Sequence, residues 1–194
     1  MKTLWNVSIF IMLLLVSLNV SGQEFKKEKE IGISKKYVPD EALEITNEFN
    51  IKRKKKWYRQ TNFDTTSYEV KFKWNSHFYS VEFDTTGQIL DIEQLVKWEE
   101  IEQKHRKQLN KIFENRFDKY KLIKCQIQYT GDKKSLNTFF KSGEIDERLT
   151  IRFEIEIEGK SDKSWKKYEF LVTSEGKVKR ERIIIGRSTE NLNY

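Results

Sequence analysis

The sequence predicts an α+β protein built from two tandem units, each a helix packed on a four-stranded antiparallel sheet. Three observations carry this prediction. The apolar period changes from 3.6 residues to 2 shortly after Phe49, and changes the same way again after Phe117. Short Asn-Ser and acidic-Gly segments separate the alternating runs, and loops that short join antiparallel strands. Sliding the chain by 89 residues places Tyr79 on Tyr168, Gly87 on Gly176, Val81 on Phe170, Phe83 on Val172 and Ile89 on Val178. A fixed offset with that many apolar matches reads as an internal repeat.

Each element follows from local chemistry. Residues 1–22 read as a signal peptide. Lys2 gives the basic start, Val7 to Leu18 the apolar run, and Val20-Ser21-Gly22 the small residues before a cleavage point. No Cys follows them, so a lipoprotein anchor is not expected. Residues 23–36 mix Lys, Glu, Gly and Ser and are expected to form a flexible lead-in. Unit one spans 37–97. Pro39-Asp40-Glu41 opens its helix, because proline suits the first turn and acids suit the positive end of the dipole; Ala42, Ile45, Thr46 and Phe49 share one face. Tyr68 to Trp74, Tyr79 to Phe83 and Ile89 to Val96 then alternate as strands. Unit two spans 98–186, with a helix from Trp98 to Asp118 and strands at Ile123–Tyr129, Leu149–Glu158, Tyr168–Val172 and Val178–Ile185. Residues 187–194 are a tail. In each unit the apolar strand face lies under the helix, and the Lys/Glu/Gln face is expected to be open to water.

Pro39-Asp40-Glu41-Ala42, Trp57, Tyr68-Glu69-Val70-Lys71-Phe72 and Val81-Glu82-Phe83-Asp84-Thr85-Thr86-Gly87 together resemble the PepSY-like domains, exported modules whose fold is similar to that of the β-lactamase-inhibitor protein. The second unit carries the pattern in Phe117-Asp118-Lys119-Tyr120 and Tyr168-Glu169-Phe170 with Gly176. The resemblance implies a binding or inhibitory role. It brings no catalytic residues with it, and the absence of disulfides separates this chain from the inhibitor's own pattern.

The composition excludes several chemistries. One Cys, one Pro and two His rule out a disulfide scaffold, a Cys/His zinc domain and a collagen-like repeat. The net charge is +7, and Lys2 is the sole charge that residues 1–22 contribute to it. That mild surplus favours anionic partners. Cys125 lies on the apolar side of an alternating run and is expected to be a buried small hydrophobe. His77 follows a turn and His105 lies on a helix stripe, both suited to structural roles. Glu154, Glu156 and Glu158 line one strand face, where cross-strand pairing with Lys167 explains them better than a carboxylate dyad does. One strand also presents too few oxygens for Ca²⁺.

One local feature reads as a binding site: Lys52, Arg53, Lys54, Lys55 and Lys56, with Tyr58 beside them. Consecutive cations next to aromatics suit an anionic surface. The expected function is an exported, non-enzymatic binding protein, an inhibitor or regulator of an envelope enzyme, in the periplasm or secreted. The alternative is a binder of an anionic envelope polymer or lipid through residues 52–56. The expected partner is a protein first and a polyanion second, with nucleic acid, metal and cofactor not expected.

Overall fold

The computed structural model describes residues 24–49 and 51–185. The expected signal peptide and the tail lie outside these residues. Ten strands form one sheet: β1 (Glu24–Lys26), β2 (Glu28–Ile33), β3 (Lys56–Asn62), β4 (Thr65–Trp74), β5 (His77–Phe83), β6 (Ile89–Leu95), β7 (Lys119–Thr130), β8 (Thr150–Ser161), β9 (Ser164–Thr173) and β10 (Val178–Ile184). Three helices accompany them: α1 (Asp40–Glu48), α2 (Gln103–Arg116) and α3 (Lys133–Ser142). The spatial order is β1-β10-β9-β8-β7-β6-β5-β4-β3-β2. Neighbouring strands are antiparallel except β1 and β10, which are parallel.

That order hides a closure. β1 and β2 stand at opposite ends of the sheet, yet Lys27 alone separates them in the chain. The stretch from Glu24 to Ile33 first pairs with β10, Glu24 opposite Arg182, and then with β3, Ile31 opposite Arg59. A single segment therefore seams the two ends of a strongly coiled sheet into a nearly closed barrel. Twist accumulated over many strands brings such edges together. Residues 24–33 are thus strands rather than the flexible lead-in that their composition suggested.

Two corrections follow for the predicted fold. The chain does not form two units of a helix on a four-stranded sheet, because β6 pairs directly with β7, from Ile92 opposite Tyr129 to Leu95 opposite Gln126. Helix α3 also joins the halves. It lies between β7 and β8 in sequence but sends Leu136, Phe139 and Phe140 into the core formed by α1 and β3–β6. The Phe140 ring lies 4.4 Å from Phe49 and 5.5 Å from Phe72, centroid to centroid. A second apolar cluster sets Leu109, Phe113 and Phe117 against Phe153, Ile155, Ile157, Tyr168 and Phe170.

Much of the local reading holds. α1 begins after Pro39 with Asp40 and Glu41 in its first turn. Asn75 and Ser76 have φ of 44° and 69°, as a two-residue hairpin turn of the favoured hand requires. β8 and β9 pair antiparallel, from Arg152 opposite Thr173 to Ser161 opposite Ser164. Gly87 has φ +92°, and a Cβ there would sit 2.7 Å from the Ala42 backbone nitrogen, so this turn abuts the start of α1. Helix α2 is shorter than expected, since Trp98–Glu100 form a separate 3₁₀ turn.

Candidate functional site: a charged cavity inside the sheet

Strand alternation puts the apolar residues on the convex side, under the helices, and the polar ones on the concave side. Because the sheet is seamed, that polar side faces itself across a cavity of about 390 Å³. The Lys/Glu/Gln face expected to be open to water is therefore largely enclosed. Gln126, Gln128, Glu69, Glu154, Glu156 and Glu169 are all buried, and Glu169 is only 1% exposed. Burying charge is costly unless it is paired, and pairing is what the walls provide.

The densest network sits at the seam. Lys26 places its ammonium 2.5 Å from Glu169 and 3.0 Å from Glu28. Arg182 donates from Nε to the other Glu169 oxygen at 3.0 Å, and Arg180 lies 3.6 Å from the same carboxylate. Burial pushes Glu169 upward, but Lys26 and Arg182 outweigh it and hold the carboxyl at about 2. For Lys26 the same balance runs in the opposite sense: burial lowers its pKa, while Glu154, Glu169 and Glu28 carry it well above the usual lysine value.

Elsewhere the pairing is thinner. Lys124 bridges to Glu156 at 3.0 Å, directly across the β7–β8 pair. Lys71 lies 2.8 Å from Glu30 and 3.2 Å from Glu69. Gln60 also donates to Glu69 at 2.8 Å, yet burial still pushes Glu69 up to about 8, with Glu30 and Glu93 adding to the rise and Lys71 opposing it. Asp91, Glu82 and Glu154 are likewise raised, chiefly by burial, with the neighbouring Glu93 adding to the rise at each.

The sequence-predicted basic site is rearranged. Arg53, Lys54 and Lys56 line a second hollow of about 340 Å³ together with Lys71, Lys73, Phe72 and Phe78. Lys55 is not part of it: its ammonium donates to the Thr46 carbonyl at 2.9 Å, near the C-terminal end of α1, where a cation is favoured. Burial and Lys35 lower its pKa. Lys52 is exposed outside the hollow, and Tyr58 is half-buried with the Lys71 ammonium 5.1 Å from its ring centre. Trp57 turns into the core.

The remaining candidates take structural places. Cys125 is buried, and burial pushes its thiol up to about 11. His77 bonds Glu100 at 3.0 Å, and His105 packs 4.9 Å from the Phe153 ring. Sequence reasoning missed Lys26, Glu28, Glu30, Asp91, Glu93, Arg180 and Arg182 as members of one site. The E-K-E-I-G-I alternation at residues 28–33 was the visible signal for the seam.

Among the described residues no helix is long and apolar enough to cross a membrane. No family model matches the chain, and no curated protein matches it either. A solved structure does resemble it: a DUF2874 family protein from Bacteroides ovatus, with a TM-score of 0.51 and 14% identity, over 75% of this chain and 87% of that one. At that identity the likeness speaks to fold alone. The expected PepSY-like, tandem-repeat assignment is corrected accordingly: the similar structure is described as a DUF2874 protein, and the chain itself is a single, nearly closed ten-stranded sheet.

Proposed function

We propose that this chain is an exported, non-enzymatic binding protein whose site is the polar cavity inside the sheet, with a small polar molecule as its occupant. The observation that carries this reading is the cavity itself, about 390 Å³ and walled by charged and amide side chains from nearly every strand. That volume lies within the range of small-molecule sites, roughly 300–1,000 Å³. A protein partner docked on the Lys/Glu/Gln face would have to enter a space of that size. The site therefore moves from an outer surface to an inner one.

A thermal-shift screen of small polar compounds on the purified full chain tests the proposal. A ligand present at a hundred times its dissociation constant should add about 2.7 kcal/mol of stability. Replacing Ser80 with Phe, which fills the cavity from β5, should abolish that gain while the protein stays folded. Chemical turnover of a bound compound would refute the non-enzymatic half of the proposal.

A second reading is favoured by the outer hollow, where Arg53, Lys54, Lys56 and Lys73 surround Phe78. It suits an anionic polymer or lipid headgroup. Binding of that kind should fall steeply with salt and disappear on changing Arg53, Lys54 and Lys56 to Gln. Changing Lys55 should matter less, because its ammonium is held by Thr46.

A further inference from the structure

We infer that the cavity is built for an organic cation carrying at least two ammonium groups; the inference rests on the small-ligand reading above and names the ligand class. Eight carboxylates line the space against six cationic side chains. The cations are not spread evenly. Lys26 and Arg182 are turned to Glu169, Lys124 to Glu156, and Lys71 to Glu30 and Glu69, while Arg180 lies 3.8 Å from Glu154 and Arg152 donates to Thr130 and Gln128. Glu82, Asp91 and Glu93, on the adjacent strands β5 and β6, have no cation within salt-bridge distance among the described residues, and Lys26 and Lys124 act on Glu82 and Glu93 only from farther away. Neutral donors meet them instead. Gln128 donates to Asp91 at 2.9 Å; Gln126 and Ser80 donate to Glu93 at 2.8 and 3.3 Å. The Ser67 hydroxyl, which donates to Gln60 at 3.3 Å, lies near Glu82 and works against the rise that burial causes there.

An independent observation marks the same place. Gln126 is only 3% exposed, its amide nitrogen is committed to Glu93, and its carbonyl oxygen is buried with no hydrogen-bond partner. A buried acceptor left unpaired costs about 1–3 kcal/mol, so the site is short of a donor. The groups on this wall that no cation meets, the Glu82, Asp91 and Glu93 carboxyls and the Gln126 carbonyl oxygen, can each accept from an ammonium. An anion is repelled there, and a neutral polyol would leave the charge uncompensated. Burial, and then repulsion by Glu93 and Glu82, raises Asp91 well above the usual carboxylate range, as expected of a carboxyl that lacks a counter-charge.

A bare metal ion does not fit the arrangement. No three acidic, His or Cys side chains among the described residues converge as metal ligands would, whereas a hard cation such as Ca²⁺ takes six to eight oxygens at about 2.3–2.6 Å. The negative charge is instead strung along β6, with Asp91 and Glu93 two residues apart on one face, about 7 Å at the usual strand rise. That is close to the span of a four-carbon diamine, whose several N–H groups would also satisfy the Gln126 oxygen.

Calorimetry at low salt on the full chain tests this with three probes of equal length: 1,4-diaminobutane, 1,4-butanediol and succinate. The expected result is saturable 1:1 binding of the diamine alone. Asp91→Asn and Glu93→Gln should each weaken it by about tenfold, the loss of one charged contact, while Lys54→Gln in the outer hollow leaves it unchanged. A variant that fails to fold would be recognised by circular dichroism and replaced by Gln126→Met, which removes the unpaired oxygen at similar volume and should also weaken binding. Diamine binding indifferent to all three cavity variants would overturn the inference. Binding of the diol or succinate without the diamine would overturn it too, yet leave the small-ligand reading standing. Binding of none of the three, together with no response in the wider polar screen, would end both.

Discussion

Lys26→Met removes the ammonium that joins the seam to the cavity wall while keeping most of the stem's volume. In the wild-type chain the lysine sits between Glu169 and Glu28, with side-chain exposure of 15% against 0% for Glu169. Removing one partner of a buried pair costs roughly 3–5 kcal/mol, because the other charge stays behind. Glu169 keeps Arg182 and Arg180, so the low end applies, about 3 kcal/mol. Urea melts followed by tryptophan fluorescence would measure this loss. Hydrogen exchange should place the damage at β1 and at the edge of β10, where Phe25 opposite Ile183 would open ahead of the rest. A loss below 1 kcal/mol, or exchange no faster at Glu24–Lys26 than before, would show that the seam is held by its backbone bonds and not by the ion pair.

Acidity should move stability in a defined direction. Glu69, raised to about 8 when folded, favours the folded state most below the unfolded value near 4.5 and loses that contribution as pH climbs toward 8, up to about 5 kcal/mol. Glu169, held at about 2, behaves oppositely: its contribution is complete above 4.5 and is lost as pH falls toward 2. Melts should therefore show greater stability at pH 5 than at pH 8, with the gap narrowed by Glu69→Gln; equal stability at both pH values would contradict the assignment. Gly87→Ala combines a left-handed backbone with a Cβ 2.7 Å from the Ala42 nitrogen, and should cost at least 2 kcal/mol, about the sum of strain and overpacking, as read from denaturant midpoints. Phe140→Ala should cost about 3–5 kcal/mol and yield one unfolding transition rather than two, since α3 packs against the core formed by α1 and β3–β6; calorimetric scans would reveal a second transition if the halves were independent.

The strands were legible where their evidence is local. Tyr68 to Trp74 alternate because each side chain answers to the one two places away, and the pairing of β8 with β9 follows from a turn too short for anything else. Alternation does not encode curvature: Glu154 and Gln126 read the same whether their face meets solvent or another polar wall. The seam was hidden for a related reason. Lys26 finds Glu169 across 143 residues, and no window of sequence reports that distance. β3 was masked by charge, since Lys56 opens a strand that the basic run made look like a loop. Helix α3 is a different matter. Asp132 caps it by accepting from the Ser135 nitrogen at 2.8 Å, Leu136, Phe139 and Phe140 recur at helical spacing, and Gly143 ends it at φ 77°. Those signals were present in the sequence. Of the candidate site, the charged residues on the strands were visible, but their convergence on one interior was not.

The seam also sets an order of events. The segment that closes the ring is made early, and one of its two partners, β10, is the last strand of the sheet to be synthesised. β2 can pair with β3 as soon as β3 exists, whereas β1 must wait for the whole sheet to coil round to meet it. Until then β10 carries an unpaired edge and the buried carboxylates lie in water, fully ionised. An open edge of that kind is where chains join one another, so this protein is most exposed to aggregation in the interval before its first strand finds its last. Lys26 and Glu169, by closing that interval, act in folding as a clasp whose two halves leave the ribosome far apart.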